Sequence, residues 1–97
     1  MRARRKDANH NELKAALEAM GATVCDVYQL PGVLDVIIGY AGLDQRAEIK
    51  DGTLPLSKRT LTDLEVMVFS YWRGRRPVVL ESIADCVELI KQMRADK

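Results

Sequence analysis

The chain is poor in the residues that thiolate or imidazole chemistry requires, with two cysteines and one histidine among 97 residues. Cys25 and Cys86 lie far apart without metal-ligand spacing, which excludes a zinc-finger framework and reads as two reduced, buried side chains. No apolar run approaches the roughly 20 residues of a membrane span. No signal-type hydrophobic segment follows the basic start, so the expected location is the cytoplasm. A net charge of +1 excludes a global basic field. There is no helix-turn-helix and no recognition helix rich in Arg, Asn and Gln, so reading of base edges is not expected.

What is present describes one soluble globular domain spanning 1–97, because 47% of residues are hydrophobic and 30% charged. Residues 1–7 read as a flexible basic terminus. The positive charges are sorted locally: Arg2, Arg4, Arg5 and Lys6, then Lys58 and Arg59, then Arg73, Arg75 and Arg76. Each cluster suits either a phosphate contact or a solvated loop.

Periodicity places the elements in the order α-β-β-β-α-β-α. In "NHNELKAALEAMG", Leu13, Ala16, Leu17 and Met20 recur at helical spacing and Gly21 takes the place of a terminating glycine. "ATVCDVYQL" reads as an edge strand closed by Pro31-Gly32, and residues 33–40 and 45–51 as two strands around the short connection "AGLD". "GTLPLSKR" is a loop. "TLTDLEVMVFSYWRG" is a helix opened by a Thr62–Glu65 capping box and closed near Gly74. "RPVVLE" is a fourth strand, and "SIADCVELIKQM" a helix capped by Ser82, with Ile83, Val87, Ile90 and Met93 on its inner face. In the second helix, Leu61, Leu64, Met67, Val68, Tyr71 and Trp72 form the expected core stripe. Val66 and Phe69 fall outside it and suggest a subunit interface.

The chemistry is concentrated in "VLDVIIGYAGLDQRAEIKDG". Asp35 sits inside an apolar strand, and Glu48 and Lys50 flank Ile49 in the next. An unpaired buried carboxylate costs several kcal/mol, so something must compensate it. Strand alternation points Glu48 and Lys50 to one side of the sheet. If the two strands are neighbours, Asp35 and Glu48 converge, and a divalent cation would remove their repulsion. Oxygen ligands of this kind suit Mg²⁺ or Mn²⁺.

The αβββαβ order carrying D-x12-E-x-K resembles the PD-(D/E)xK nuclease superfamily, in its small virus-type replication-repair (VRR-NUC) branch, akin to Holliday junction resolvases. The resemblance runs from "NELKAALEAMGA" through the motif strands and "LPLSKRTLT" to "WRGRRPVVLESIADCVELI". It implies an α/β, restriction-endonuclease-like core with a mixed four-stranded sheet flanked by helices. By that resemblance Asp35 and Glu48 ligate the metal with the carbonyl of Ile49, Lys50 orients the nucleophile, and Glu12 reaches the site directly or through water. Glu12 is equally placed to close a capping box on Asn9. Leu34 departs from the family's usual proline before the aspartate. Ser57, Lys58 and Arg59 resemble a substrate-side loop and are the expected phosphate contacts. His10 has no second His or Cys near it and is given at most a solvent or phosphate contact.

These readings imply a Mg²⁺- or Mn²⁺-dependent endodeoxyribonuclease selective for DNA structure. A Holliday junction resolvase is among the candidates, working as a homodimer on branched or duplex DNA in a bacterial or phage-infected cell. Two other classes stay open: a non-catalytic nucleic-acid-binding module with the same fold, and an interaction protein whose charges are merely solvated.

Overall fold

Leu13 and Leu17 stand one helical turn apart and are both fully buried, which fixes the inner face of the first helix. In the computed structural model, which describes residues 6–97, that helix is α1 (His10–Ala19). The elements that follow are β1 (Thr23–Asp26), β2 (Val36–Tyr40), β3 (Leu43–Ile49), α2 (Asp63–Tyr71), β4 (Val78–Leu80) and α3 (Ile83–Ala95). A single 3-10 turn, Leu56–Lys58, interrupts the loop before α2. The expected order and the α/β class are both present. The basic cluster Arg2, Arg4 and Arg5, and most of the flexible-terminus reading, lie outside the described residues.

The four strands form one mixed sheet in the order β1-β2-β3-β4. β1, β2 and β3 run antiparallel, and β4 joins β3 in parallel. A parallel neighbour requires a crossover, and α2 lies within that connection. The β2–β3 hairpin turns through Ala41 and Gly42, with φ of 53° and 79°. Positive φ at both central residues is the turn geometry whose twist matches a hairpin.

Alternation divides the sheet into two faces. Val24, Val36, Ile38, Ala47, Ile49 and Leu80 point to one side and pack with Leu13 and Leu17 of α1 and Cys86, Leu89, Ile90 and Met93 of α3. The intervening residues of β3, Arg46 and Glu48, point to the other side, where they meet Trp72 and Glu65 of the α2 segment. Gln45 points into the α1–α3 layer yet is fully satisfied. Its amide donates to the carbonyls of Arg46 and Arg76 at 2.9 and 2.8 Å and accepts from Arg75 Nε at 2.6 Å.

Several local expectations are corrected. In α2 the inner residues are Glu65 and Val68, with half-buried Trp72 one turn beyond, while Leu64, Met67 and Tyr71 are exposed. The stripe is rotated by about one residue, some 100°, because Glu65 must reach Lys50 under the helix. The helix also ends at Tyr71, before Gly74. In α3, Ile83 and Val87 are exposed and Cys86 and Leu89 take the inner face. Cys25 is exposed on β1, on the face α1 and α3 leave uncovered, whereas Cys86 is buried as expected. No described helix is long and apolar enough to cross a membrane.

Leu17→Ala should therefore cost about 2–5 kcal/mol of unfolding free energy, and Met67→Ala within about 0.5 kcal/mol of zero. Urea denaturation of the two variants measures the difference. Equal losses would restore the sequence-derived α2 stripe.

Candidate functional site: a buried acid–lysine cluster

Asp35, the residue before β2, is held by three hydrogen bonds, two with β3 and one with the residue after β1. Its N–H donates to Ala47 O at 3.1 Å and its carbonyl accepts from Val27 N at 2.9 Å. Its Oδ2 accepts from the backbone N–H of Ile49 at 2.8 Å. The preceding residue, Leu34, has φ of 67° with its side chain buried. A left-handed conformation costs a non-glycine residue about 1–3 kcal/mol and is closed to proline, whose φ is locked near −65°. The proline that the resembled motif carries at this place could not adopt this backbone.

Ala47 and Ile49 face the core, so Glu48 between them is driven to the opposite face, where it is almost fully buried. Lys50, one residue beyond β3, follows on the same side. Its Nζ lies 3.7 Å from Glu48 Oε2 and 3.0 Å from Glu65 Oε1. Glu65 is brought in by α2, whose first turn it also closes. Its Oε1 accepts from Thr62 N at 2.8 Å while Thr62 Oγ1 accepts from Glu65 N. Strand alternation and a helix cap thus deliver Asp35, Glu48, Lys50 and Glu65 to one place.

The charges within this group are unequal. Burial, a hydrogen bond with Glu65 and the charges of Asp35 and Glu65 push the Glu48 carboxyl up to about 10. Burial would raise Glu65 too, but hydrogen bonds from Glu48, Thr62 N–H and Lys50 outweigh it and hold Glu65 at about 2. Burial opposes the charge on Lys50, yet the hydrogen bond to Glu65 and the acids around it raise the lysine. Near neutral pH the cluster therefore holds a protonated Glu48 sharing its proton with an ionised Glu65, and a charged Lys50. Glu48 Oε1 takes no hydrogen bond from any donor of the described protein. Only a proton of its own lets that carboxyl meet its acidic neighbours.

Among the described residues, no three Asp, Glu, His or Cys side chains stand in a cation-holding arrangement. What the group offers is two carboxylates, Asp35 and Glu48. The carbonyl of Ile49 supplements them, since an extended residue sends its N–H and C=O to the same edge. Mg²⁺ is commonly bound by one or two carboxylates completed by water and substrate phosphate. The donor set fits that pattern.

Other sequence-derived candidates lie elsewhere. Glu12 is exposed, makes no hydrogen bond or ion pair with Asp35, Glu48 or Lys50, and lines a hollow with Asn9, Asp51 and Glu81. Asn9 does not cap α1 through its side chain. Its amide instead donates to Lys50 O at 3.0 Å and Glu81 O at 3.3 Å, fastening the helix start to the ends of β3 and β4. The proposed capping box on Asn9 does not form. His10 is buried rather than solvent-facing, with Nε2 2.8 Å from Asp26 Oδ1, an acid that Lys14 also pairs. Ser57 and Lys58 are exposed on the 3-10 turn, while Arg59 is bound to Glu81 at 2.9 Å and to Leu54 O at 2.8 Å. Val66 is exposed and Phe69 half-buried.

Two residues of the group were missed in the sequence. Glu65 was read only as a helix cap, although an acid within "LEVMVF" was a signal of burial with a partner. Asp7 was assigned to a flexible terminus. It is partly buried, and burial raises its carboxyl against the pull of Lys50, with Asp35, Asp51 and Glu65 adding to the rise. Compared with known proteins, the chain matches no family model, no curated protein and no solved structure.

The raised Glu48 carboxyl sets a pH dependence. Its folded value of about 10 lies above the ordinary 4.5, so the folded chain binds the extra proton. The resulting loss of stability is absent below about pH 4.5 and grows as pH rises toward 10. Glu48→Gln, a neutral isostere, should match the wild-type melting temperature near pH 4 and exceed it near pH 9. The gain is about 4–8 °C for each kcal/mol relieved. A difference that does not change with pH would mean Glu48 is already ionised in the folded chain.

Proposed function

We propose that the chain is a Mg²⁺- or Mn²⁺-dependent, structure-selective DNA endonuclease, with resolution of four-way junctions within its scope. The observation that supports this best is the convergence of Asp35, Glu48 and Lys50 on one face of neighbouring strands, all at least half-buried. A merely structural ion pair needs one acid beside Lys50, whereas Asp35, Glu48 and Glu65 all gather here. Asp35 and Glu48 would hold the cation with the Ile49 carbonyl, and the cation would polarise the phosphoryl oxygen and acidify bound water. Glu48 must give up its proton on binding, and Lys50 can leave Glu65 to steady the attacking hydroxide and the charge growing on the phosphate. Water adds to phosphorus as the P–O3′ bond breaks, leaving a 5′-phosphate and a 3′-hydroxyl.

Substrate contacts in this reading are to backbone. Lys58 and Ser57 are free to meet phosphate, whereas Arg59 must first release Glu81. Asp35→Asn, Glu48→Gln and Lys50→Ala should each lower cleavage of a DNA junction at least about 100-fold with the circular dichroism spectrum unchanged. Lys58→Ala should weaken binding while sparing the chemical step. Wild-type cleavage in Mg²⁺ by any of the first three variants removes that residue from the site.

The homodimer is likewise a proposal. The outer side of α2 exposes Val66 together with Leu64 and Met67, an unusual density of apolar surface for one short helix. A two-fold pairing through this side would present two clusters to a two-fold substrate. Light scattering at micromolar concentration should give twice the chain mass, and a Val66→Glu, Phe69→Glu double variant the single mass. A wild-type monomer rules the pairing out.

A further inference from the structure

We propose that Trp72, with Arg46 packed on its ring, is a stacking site for an unpaired nucleotide lying next to the phosphate held at Asp35, Glu48 and Lys50. This inference rests on the nuclease reading for the position of that phosphate, but the stacking contact itself does not require catalysis.

Arg46 and Glu48 lie on the same face of β3, two residues and thus about 7 Å apart. The guanidinium of Arg46 sits 4.1 Å from the centre of the Trp72 ring. Its Nη1 also donates to Val33 O at 3.4 Å, in the segment that leads to Asp35. The indole is therefore fixed one same-face step from the acid cluster. Gly74 helps to hold it there, since a Cβ at that position would meet Trp72 Nε1 at 2.8 Å. Trp72 divides two hollows. One is lined by Ile37, Asp44, Arg46 and Arg75, the other by Tyr71, Arg73 and Gly74.

The charge around the ring favours a nucleic-acid strand. Arg73 and Arg76 are exposed and form no ion pair among the described residues, while Arg75 is held by Gln45 and Asp96. These are the three arginines that composition alone could not assign. A fixed aromatic ring beside unpaired arginines is the combination by which proteins grip single strands, because every base has a π-face. A base inside a continuous duplex already stacks on its neighbours and has no free face to offer. The geometry therefore points to DNA with an unpaired or splayed nucleotide beside the cut, such as a branch point or flap, in preference to uninterrupted duplex.

Trp72 is the chain's single tryptophan, so its emission reports this site alone. In metal-free buffer the wild type is titrated with a short single-stranded oligonucleotide, with an abasic strand of equal length and charge, and with a blunt duplex. The single strand should quench the emission, with the abasic strand binding about tenfold or more weakly and the duplex leaving the emission unchanged. Arg73→Glu, at an exposed position, should weaken the single strand's binding with an intact fold. Trp72→Phe, followed by anisotropy of a labelled strand, should lower affinity. Quenching by the abasic strand at the same affinity, or binding with no change in emission, overturns the proposal. Quenching without any cleavage in Mg²⁺ or Mn²⁺ would defeat the nuclease reading and leave this site standing. Cleavage without quenching would do the reverse.

Discussion

The ion pair between Lys50 and Glu65 fastens α2 to the sheet beside the buried side chains of Val68 and Leu34. Thr62 N–H and Lys50 Nζ meet on the same Glu65 oxygen, so the start of α2 and the end of β3 are bound through one atom. Removing one member of a buried pair typically costs about 3–5 kcal/mol, mostly because the other is left stranded. That constraint explains why α2 turns an acid inward and leaves Leu64, Met67 and Tyr71 outside. It also explains why Glu48 is neutral. With Lys50 committed to Glu65, a further ionised carboxylate beside Asp35 and Glu65 would have no cation of its own.

Around that pair, the structure assigns its polar groups to fastening the ends of strands. Asn9 ties α1 to the ends of β3 and β4, Gln45 ties β3 to the entry of β4, and Asp35 ties β2 to β3. Each replaces water for backbone groups where the ladder stops. The hydrophobic layer of α1, the sheet and α3 supplies the cohesion, and these polar clasps fix where the cluster residues stand. At Leu34 a left-handed backbone directly precedes the site residue Asp35.

The elements were legible because their periodicities are strong. Leu13 and Leu17, the alternation of residues 45–49, and the Thr62–Glu65 cap each specify one local structure. The convergence of Asp35 with Glu48 and Lys50 was legible for the same reason, since two adjacent strands with known faces bring the side chains together. Glu65 was not, because one residue served two purposes and the cap explained it completely. The α2 stripe misled because hydrophobicity alone ranks Leu64 and Met67 above Glu65 as inward residues. That ranking reverses only when the partner lysine is known. Asn9, His10 and Asp7 depend on contacts distant in the chain, which spacing along a helix does not encode.

The two cysteines have opposite surroundings, with a practical consequence. Burial pushes the Cys86 thiol up to about 11, while Cys25 faces solvent on the edge strand. Thiolate is the reactive form, so a maleimide or spin label would enter at one position without mutagenesis. That position lies on the sheet face left open by α1 and α3, the face that also carries Glu48 and Arg46. The native chain thus comes with a single attachment point from which a probe can watch the surface where a bound strand would lie.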